Sequence, residues 1–386
     1  MPDAPTRVLV VDDEPDLEPL LRQRFRRRIR EGELELVFAC DGLDALDKLA
    51  AHPDIGLVLT DINMPRMDGL TLLGELARLD RPVRAVVVSA YGDLENIRTA
   101  MNRGAFDFIT KPIAFDDLET TLDKTIRHLH ELRSAAVLQL RMAAVEQELS
   151  VARRIQQALV PKPLADGGPV DVCGAMHPAR EVGGDFYDYF WLDEERLGFA
   201  IGDVAGKGVP AALFMAITKS VLRAVATSGL APGSCLRRVN ELLFPDSVPS
   251  VFVTMFYGVL NTSTGSVEYA NAGHNPPVLL RQGRLPALLE RAGGVPVAAV
   301  REFAYISTSM SLGPGEGLLL YTDGVTEAMN AGREQFEAGR LLAAVAGIGS
   351  SSARSIVEAV VDEVSGFVGG AEQHDDITLL ALRTAA

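Results

Sequence analysis

The sequence is poor in cysteine, in basic charge and in long apolar runs. Its three cysteines, Cys40, Cys173 and Cys235, are spaced too widely for a metal or disulfide motif, so we expect reduced thiols in a cytoplasmic protein. The 37 basic residues are outnumbered by 52 acidic ones, which disfavours nucleic acid as a partner because such proteins usually present a basic surface. No uninterrupted apolar run reaches about 18 residues, so we predict no membrane span.

Short apolar runs alternate with amphipathic segments between residues 7 and 123. Val8–Val11, Leu57–Thr60 and Ala85–Ala90 are rich in β-branched residues and are bounded by polar ones. Runs of this kind suit strands that are buried on both faces of a parallel sheet. Because segments with a helical pattern lie between them, the sequence predicts a doubly wound α/β domain.

Functional side chains lie at the ends of these three runs and of a fourth, FDFIT at 106–110: Asp12 and Asp13, Asp61, Ser89, and Lys111. In an open parallel sheet, chemistry gathers beyond the carboxyl ends of the strands. Carboxylates about 4 Å apart repel by about 4 kcal/mol at an effective dielectric of 20. A hard cation such as Mg²⁺ offsets this repulsion. Asp61, beside a metal and a lysine, is therefore suited to accept a phosphoryl group.

These segments, VLVVDDE, LTDINMPRMDG, VVSAYGD and TKP, resemble in their order the receiver domain of response regulators, which we place at residues 1–122. The resemblance implies a flavodoxin-like, five-stranded parallel sheet. It also implies phosphorylation of Asp61 by a histidine kinase or a histidine phosphotransfer protein. The implied site residues are Asp12, Asp13, Asp61 and the carbonyl of Asn63 for Mg²⁺, Ser89 and Lys111 for the phosphoryl group, and Phe108 as the switch aromatic.

Residues 123–165 predict a long helical linker, because no strand pattern occurs and the first proline is Pro161. An apolar seam begins with Leu122, Ile126 and Leu129 and resumes, in a shifted register, at Leu138, Met142, Val145, Leu149 and Ala152. Two copies of the helix could pair through this seam and form a homodimer. The alternative is a helix that lies against its own domain.

The third region, residues 166–386, is strand-rich and mixed with helices. The runs 252–261 and 266–273 predict two strands joined by a tight turn. Four aspartates lie near strand ends or glycine turns: Asp185, Asp203, Asp323 and Asp376. Acids that folding gathers from distant points are good ligands for hard cations. A two-metal centre would activate water for attack on phosphorus.

The segments ARRIQQALVPKP, VGGDFYD, GDVAGKGVPAAL, YANAGHNPPVLL, YTDGVTEAMN and HDDITLL together resemble PPM-type serine/threonine protein phosphatases of the bacterial sigma-regulatory branch. The resemblance implies an αββα sandwich in which Asp203 bridges two Mn²⁺ or Mg²⁺ ions. The carbonyl of Val204 would bind one ion, Asp323 and Asp376 the other, and Asp185 would act at the first. Residues 210–224 are the candidate regulatory helix. A proton-donating role for Lys207 does not transfer, and His274 and His374 are expected to shape their local turns.

The first functional hypothesis is a response regulator in which phosphorylation of Asp61 controls a metal-dependent phosphatase. The substrate implied by the resemblance is a phosphorylated anti-sigma-factor antagonist, a STAS-domain protein. The alternative is an adaptor with a phosphatase fold that binds a regulatory partner. Such an adaptor needs a broken metal centre, whereas all four aspartates are present here. A DNA-binding output domain is not supported, because no helix-turn-helix or basic C-terminal region follows.

Overall fold

The computed structural model describes residues 5–90, 93–164, 167–244, 251–290, 293–348 and 351–385. The chain folds into two compact units, Met1–Ala144 and Val145–Ala386. One helix, at residues 115–159, contributes residues to both units. The three-part division remains a prediction, and its boundary between residues 165 and 166 lies outside the described residues.

The first unit contains a parallel five-stranded sheet in the order β2-β1-β3-β4-β5. Its strands are β1 (Thr6–Val11), β2 (Leu34–Ala39), β3 (Leu57–Asp61), β4 (Arg84–Ala90) and β5 (Asp107–Lys111). Its helices are α1 (Leu17–Arg24), α2 (Arg26–Arg30), α3 (Gly42–Ala51), α4 (Gly69–Leu76) and α5 (Leu94–Asn102). Apolar clusters cover both faces of the sheet, which explains why its strands read as nearly continuous apolar runs. The predicted receiver fold is confirmed.

The predicted linker helix is present as α6 (Phe115–Leu159). The first part of its apolar seam, Leu122 and Leu129, is buried in the core of the first unit, with Ile126 packed beside it. The second part is exposed: Leu138, Met142 and Val145 keep 58%, 57% and 54% of their surface in solvent. The shift of register in the sequence therefore separates the part of the seam that is buried in the first unit from the part that is exposed to solvent.

The second unit contains two five-stranded sheets, ordered β13-β10-β9-β8-β7 and β12-β11-β14-β15-β6. The first comprises β7 (Phe186–Trp191), β8 (Arg196–Val204), β9 (Val253–Asn261), β10 (Ser266–Ala272) and β13 (Thr308–Ser311). The second comprises β6 (Val170–His177), β11 (Val278–Leu280), β12 (Ala287–Leu288), β14 (Gly317–Tyr321) and β15 (Ile377–Thr384). Side chains of both sheets share one core, among them Phe199 and Phe256 facing Leu320 and Leu380. The predicted hairpin is the antiparallel pair β9–β10.

Helices cover the outer face of each sheet. Helices α7 (Val209–Ala226) and α8 (Pro232–Leu243) pack on the first sheet, and α10 (Glu337–Ala346) and α11 (Ala353–Val368) pack on the second. A short helix, α9 (Asp323–Thr326), follows β14 directly. The layers therefore run helix, sheet, sheet, helix, as the αββα prediction requires.

Helix α7 is long and apolar enough, by length and composition, to cross a membrane. Its buried residues include Phe214, Met215 and Leu222, which face the sheet. The same buried side carries Lys219, whose Nζ lies 3.1 Å from the Asp188 carboxylate on β7. A buried ion pair with a neighbouring strand is a feature of a helix packed inside a protein domain. We therefore assign α7 to the core of the second unit.

Candidate active sites

The first candidate site lies where β1 and β3 end. Carboxylate oxygens of Asp12, Asp13 and Asp61 all lie within 4.8 Å of one another. Asp61 ends β3 and is 7% exposed, and its Oδ1 accepts a hydrogen bond from the backbone N–H of Ile62 at 2.7 Å. Burial raises the pKa of Asp12 above its usual value, partly offset by nearby donors. Three acids at this spacing match the oxygen ligands of a hard divalent cation.

Lys111, at the end of β5, joins this cluster. Its Nζ lies 2.9 Å from Asp61 Oδ2, 3.3 Å from Asp12 Oδ2 and 2.9 Å from Glu14 Oε1. Burial opposes the charge on Lys111, but hydrogen bonds to Glu14 and Asp61 raise its pKa above the usual value. The ammonium group therefore stays charged beside Asp61. Glu14 was not among the predicted site residues, although it follows Asp13 directly.

The remaining predicted receiver residues lie on β4, on β5 and in the segment that follows β3. Ser89, on β4, is 1% exposed, and its Oγ has no hydrogen-bond partner among the residues that the structure describes. Phe108, on β5, is 39% exposed, and Asn63 is an exposed residue two positions after Asp61. A Cβ at Gly69 would lie 2.1 Å from the Asp61 carbonyl oxygen, so this position requires glycine. An unpartnered buried hydroxyl fits a site that receives further oxygen atoms.

The second candidate site collects the four predicted aspartates of the second unit. Asp185 immediately precedes β7, and Asp203 lies near the end of β8. Asp323 begins α9 after β14, and Asp376 immediately precedes β15. Each sheet contributes two of these acids, because β7 and β8 belong to one sheet and β14 and β15 to the other. The acids lie close enough for their charges to act on one another.

These acids influence one another electrostatically. Burial, followed by the charges of Asp203 and Asp376, raises the pKa of Asp185 well above its usual range. Burial, followed by the charge of Asp323, raises the pKa of Asp203 to about 7. A hydrogen bond with Asp185 acts in the opposite direction and lowers this pKa. Burial and the charges of Glu327 and Asp375 raise the pKa of Asp323. A concentration of buried and half-buried carboxylates is costly unless cations compensate their charge, so this donor set fits hard divalent ions.

Backbone groups hold Asp376 and Asp185 in place. Asp376 Oδ2 accepts a hydrogen bond from the Gly184 N–H at 2.7 Å, and its Oδ1 accepts from the Ala179 N–H at 2.8 Å. The hydroxyl of Thr322 donates to Asp185 Oδ2 at 2.7 Å and accepts from the Thr378 N–H at 3.0 Å. Thr322 is fully buried and was not predicted, although it precedes Asp323 within the YTDG segment.

The loop that follows β8 brings Lys207 to the edge of this cluster. Its Nζ lies 3.0 Å from Asp375 Oδ2 and donates to the carbonyl of His374. A cavity of about 260 Å³ beside it is lined in part by Lys207, Glu327, His374 and Asp375. Asp375 was not predicted, yet its charge acts on both Asp203 and Asp323. The only signal for it was the doubled aspartate in the HDDIT segment.

His274 and Val204 occupy different surroundings. The backbone N–H of His274 donates to Asn271 Oδ1 at 2.7 Å, and the side-chain amide of Asn271 donates to the His274 carbonyl at 3.0 Å. These two bonds close a turn after β10. The Val204 carbonyl faces Gly184, where a Cβ would approach it to 2.9 Å. Val204 therefore lies beside the segment that leads into Asp185.

Comparisons with known proteins match both units. The family model "Response regulator receiver domain" matches residues 8–123, and "Stage II sporulation protein E (SpoIIE)" matches residues 193–385. Protein IcfG of Synechocystis is 32% identical over 61% of this chain and 41% of its own length. Phosphoserine phosphatase RsbU of Bacillus subtilis is 30% identical over 62% of this chain and 70% of its own length. The chain thus spans less than half of IcfG.

Among solved structures, the SiaA-PP2C domain of Pseudomonas aeruginosa is similar to this chain. The match has a TM-score of 0.56 at 21% identity and covers 63% of this chain and 98% of that one. At this level of identity the likeness supports the fold alone.

Proposed function

The chain belongs to the response regulators that carry a C-terminal SpoIIE-type, PPM phosphatase domain, and from this premise we propose that phosphorylation of Asp61 controls hydrolysis of a phosphoserine or phosphothreonine protein. The observation that supports this most directly is the cluster of Asp185, Asp203, Asp323 and Asp376, gathered from both sheets with raised pKa values at three of them. The family is metal-dependent, and the cluster offers the oxygen ligands that Mn²⁺ and Mg²⁺ prefer.

In the phosphatase unit we assign Asp185, Asp203, the Val204 carbonyl, Asp323 and Asp376 as the residues that hold the ion pair. When bound, such a pair supplies Lewis-acid stabilisation of charge on the phosphoryl oxygens and a nucleophile at neutral pH. The chain's own contribution is orientation. Thr322 fixes Asp185, while the Gly184 and Ala179 N–H groups fix Asp376. Lys207, which pairs with Asp375 at 3.0 Å, would offer an anionic substrate a positive charge beside the strongly acidic cluster.

In the receiver unit we assign Asp61 as the phosphoacceptor, with a histidine kinase or phosphotransfer protein as donor. Asp12, Asp13, Asp61 and the Asn63 carbonyl would hold Mg²⁺. Lys111 already contacts Asp61 at 2.9 Å, so it can stabilise negative charge that develops on the phosphoryl group. Ser89 would supply its free hydroxyl to the same group, and Phe108 would respond to it as the switch aromatic.

The substrate that we propose is a phosphorylated STAS-domain antagonist of an anti-sigma factor, as the resemblance to the bacterial sigma-regulatory branch implies. The similarity to a phosphoserine phosphatase, RsbU, supports a phosphoserine protein as the substrate. Such a pathway would place the protein in the cytoplasm. We further propose a homodimer formed through the exposed part of the α6 seam, where Leu138, Met142 and Val145 lie in solvent. Burying such a stripe against a second helix is the usual way to remove it from water.

The deciding experiment measures phosphate release from a phosphoserine STAS protein by the full chain with Mn²⁺, with and without acetyl phosphate. We expect hydrolysis whose rate changes when the donor is present, in either direction. Asp61→Asn should hydrolyse the substrate but ignore the donor, and Asp203→Ala should not hydrolyse it. A chain that binds the STAS protein without releasing phosphate would instead be an adaptor. A wild-type rate that is the same with and without donor would exclude control by Asp61.

A further inference from the structure

The end of helix α6 makes one buried polar contact with the loop that precedes Asp185. The side chain of Gln156 is 5% exposed. Its Nε2 donates to the Gly183 carbonyl at 2.7 Å, and its Oε1 accepts from the Gly183 N–H at 3.1 Å. One carboxamide thus satisfies both backbone groups of a single residue. The orientation of the amide is fixed by this pairing, because the reversed amide would place donor against donor.

Gly183 lies directly against a predicted metal ligand. A Cβ at this position would lie 2.3 Å from Asp376 Oδ2, so the backbone of Gly183 and the carboxylate are packed without intervening space. The next N–H along the chain, that of Gly184, donates to the same oxygen at 2.7 Å. Asp185 follows immediately. The backbone that Gln156 holds is therefore the segment that sets the positions of both Asp185 and Asp376.

We propose that Gln156 is a positioning residue for the metal centre, acting through Gly183 on the carboxylates of Asp376 and Asp185. This inference rests on the proposed metal-dependent phosphatase function and adds to it a residue from outside the sandwich. Groups that orient ligands without touching the metal typically contribute about tenfold to a hundredfold in metal affinity. Removing the carboxamide leaves the buried N–H and C=O of Gly183 without their partner, so the loop must shift to recover hydrogen bonds.

The chain provides a matched control at the next position. Gln157 lies on the same helix, has the same side chain and is exposed. Gln156→Met keeps the length of the side chain and removes both hydrogen bonds, whereas Gln157→Met makes the same chemical change in solvent. Gln156→Glu keeps an acceptor for the Gly183 N–H but sets a carboxylate oxygen against the Gly183 carbonyl.

The experiment titrates Mn²⁺ into the full chain by calorimetry and follows p-nitrophenyl phosphate hydrolysis in the same samples. The Asp203→Ala variant defines the binding that belongs to the receiver. We expect Gln156→Met to raise the dissociation constant of the phosphatase site by about tenfold to a hundredfold, with kcat restored at saturating Mn²⁺. Gln157→Met should match the wild type in both measurements.

A folded Gln156→Met variant that binds Mn²⁺ with wild-type affinity would overturn the proposal, even if its thermal stability falls, because a merely structural contact would behave in that way. If Gln156→Met does not fold, Gln156→Glu is the deciding variant, and wild-type Mn²⁺ affinity there would overturn the proposal equally. Failure of the phosphatase function itself is distinguishable, since the wild type would then show neither Mn²⁺ binding beyond that of Asp203→Ala nor hydrolysis.

Discussion

The Lys111 ammonium nitrogen lies 2.9 Å from Oδ2 of Asp61, and the two residues end β3 and β5, the strands on either side of β4 in the same parallel sheet. This ion pair presents a carboxylate oxygen beside a fixed positive charge. The Lys111 nitrogen lies closer to Asp61, at 2.9 Å, than to Asp12, at 3.3 Å. We therefore expect Asp61 to be the aspartate that reacts.

Asp61→Asn should abolish phosphorylation by acetyl phosphate or phosphoramidate, because an amide oxygen cannot serve as the nucleophile that a carboxylate provides. Phosphate-affinity gel electrophoresis measures the modified fraction. Asp80→Asn, at an exposed position of the same unit, is the matched control and should be modified like the wild type. Equal modification of the Asp61→Asn variant would move the phosphoacceptor to another residue.

Asp203→Ala should reduce p-nitrophenyl phosphate hydrolysis by more than about a hundredfold. Replacing a residue that only orients a metal ligand already lowers metal affinity or activity by up to about that factor, and Asp203 is assigned as a ligand itself. A chelator should abolish the wild-type activity, and added Mn²⁺ should restore it. Asp362→Ala, an exposed acid on α11, controls for the loss of one negative charge. Full activity of the Asp203→Ala variant would remove this residue from the catalytic centre.

Gly183→Ala should destabilise the second unit, since the new Cβ would lie 2.3 Å from the Asp376 carboxylate. Overpacking of this kind costs about 1 to 3 kcal/mol, which urea denaturation can measure. Gly366→Ala is the control, because a Cβ there has open space within 4 Å and a helix interior favours alanine. Equal stability of both variants would show that the loop beside Asp376 can shift to accommodate the added methyl group at little cost in free energy.

Lys219→Met should destabilise the fold by about 3 to 5 kcal/mol, because it leaves the Asp188 carboxylate buried without its main partner. Combining Lys219→Met with Asp188→Asn should recover part of the lost stability, since the unpaired buried charge of Asp188 is then removed. Ser220→Ala, at the exposed neighbouring position of α7, serves as the control. Equilibrium unfolding in urea distinguishes these cases, and additive losses in the double variant would contradict an ion-pair origin.

Leu138→Glu combined with Met142→Glu should convert a dimer into a monomer, because both exposed side chains lie on the proposed pairing face. Light scattering after size-exclusion chromatography should then fall from twice 41.4 kDa to that mass. Gln147→Glu adds a charge on the opposite side of the helix and should leave the dimer intact. A monomeric wild type would rule out this interface.

Much of the fold was predictable because its signals are local. The apolar runs that became β1, β3 and β4 and the hairpin β9–β10 carry their structure in periodicity and turn residues. The four aspartates of the phosphatase unit were singled out by glycine neighbours and strand ends. The sequence alone could not reveal that one part of the α6 seam packs inside its own domain, since buried and exposed seams have the same spacing.

The residues that were missed share a different property. Thr322, Asp375 and Gln156 act on residues remote in sequence or adjacent to a stronger motif, so no spacing distinguishes them from ordinary polar residues. Their importance comes from burial and hydrogen-bond partners, which only the folded chain specifies. Gln156 in particular reads as one of two equivalent glutamines, and burial alone separates it from Gln157.

Helical geometry gives the α6 seam a second consequence. At 3.6 residues per turn, Leu138 lies about five full turns before Gln156, so the two side chains project from the same side of α6. The burial along this side rises from exposed Met142, through half-buried Leu149, to buried Gln156. A partner helix and the phosphatase unit would therefore use adjacent stretches of a single stripe. Pairing that extends beyond Leu149 would displace Gln156 from Gly183, so the length of the paired region would itself determine how firmly the acidic loop is held.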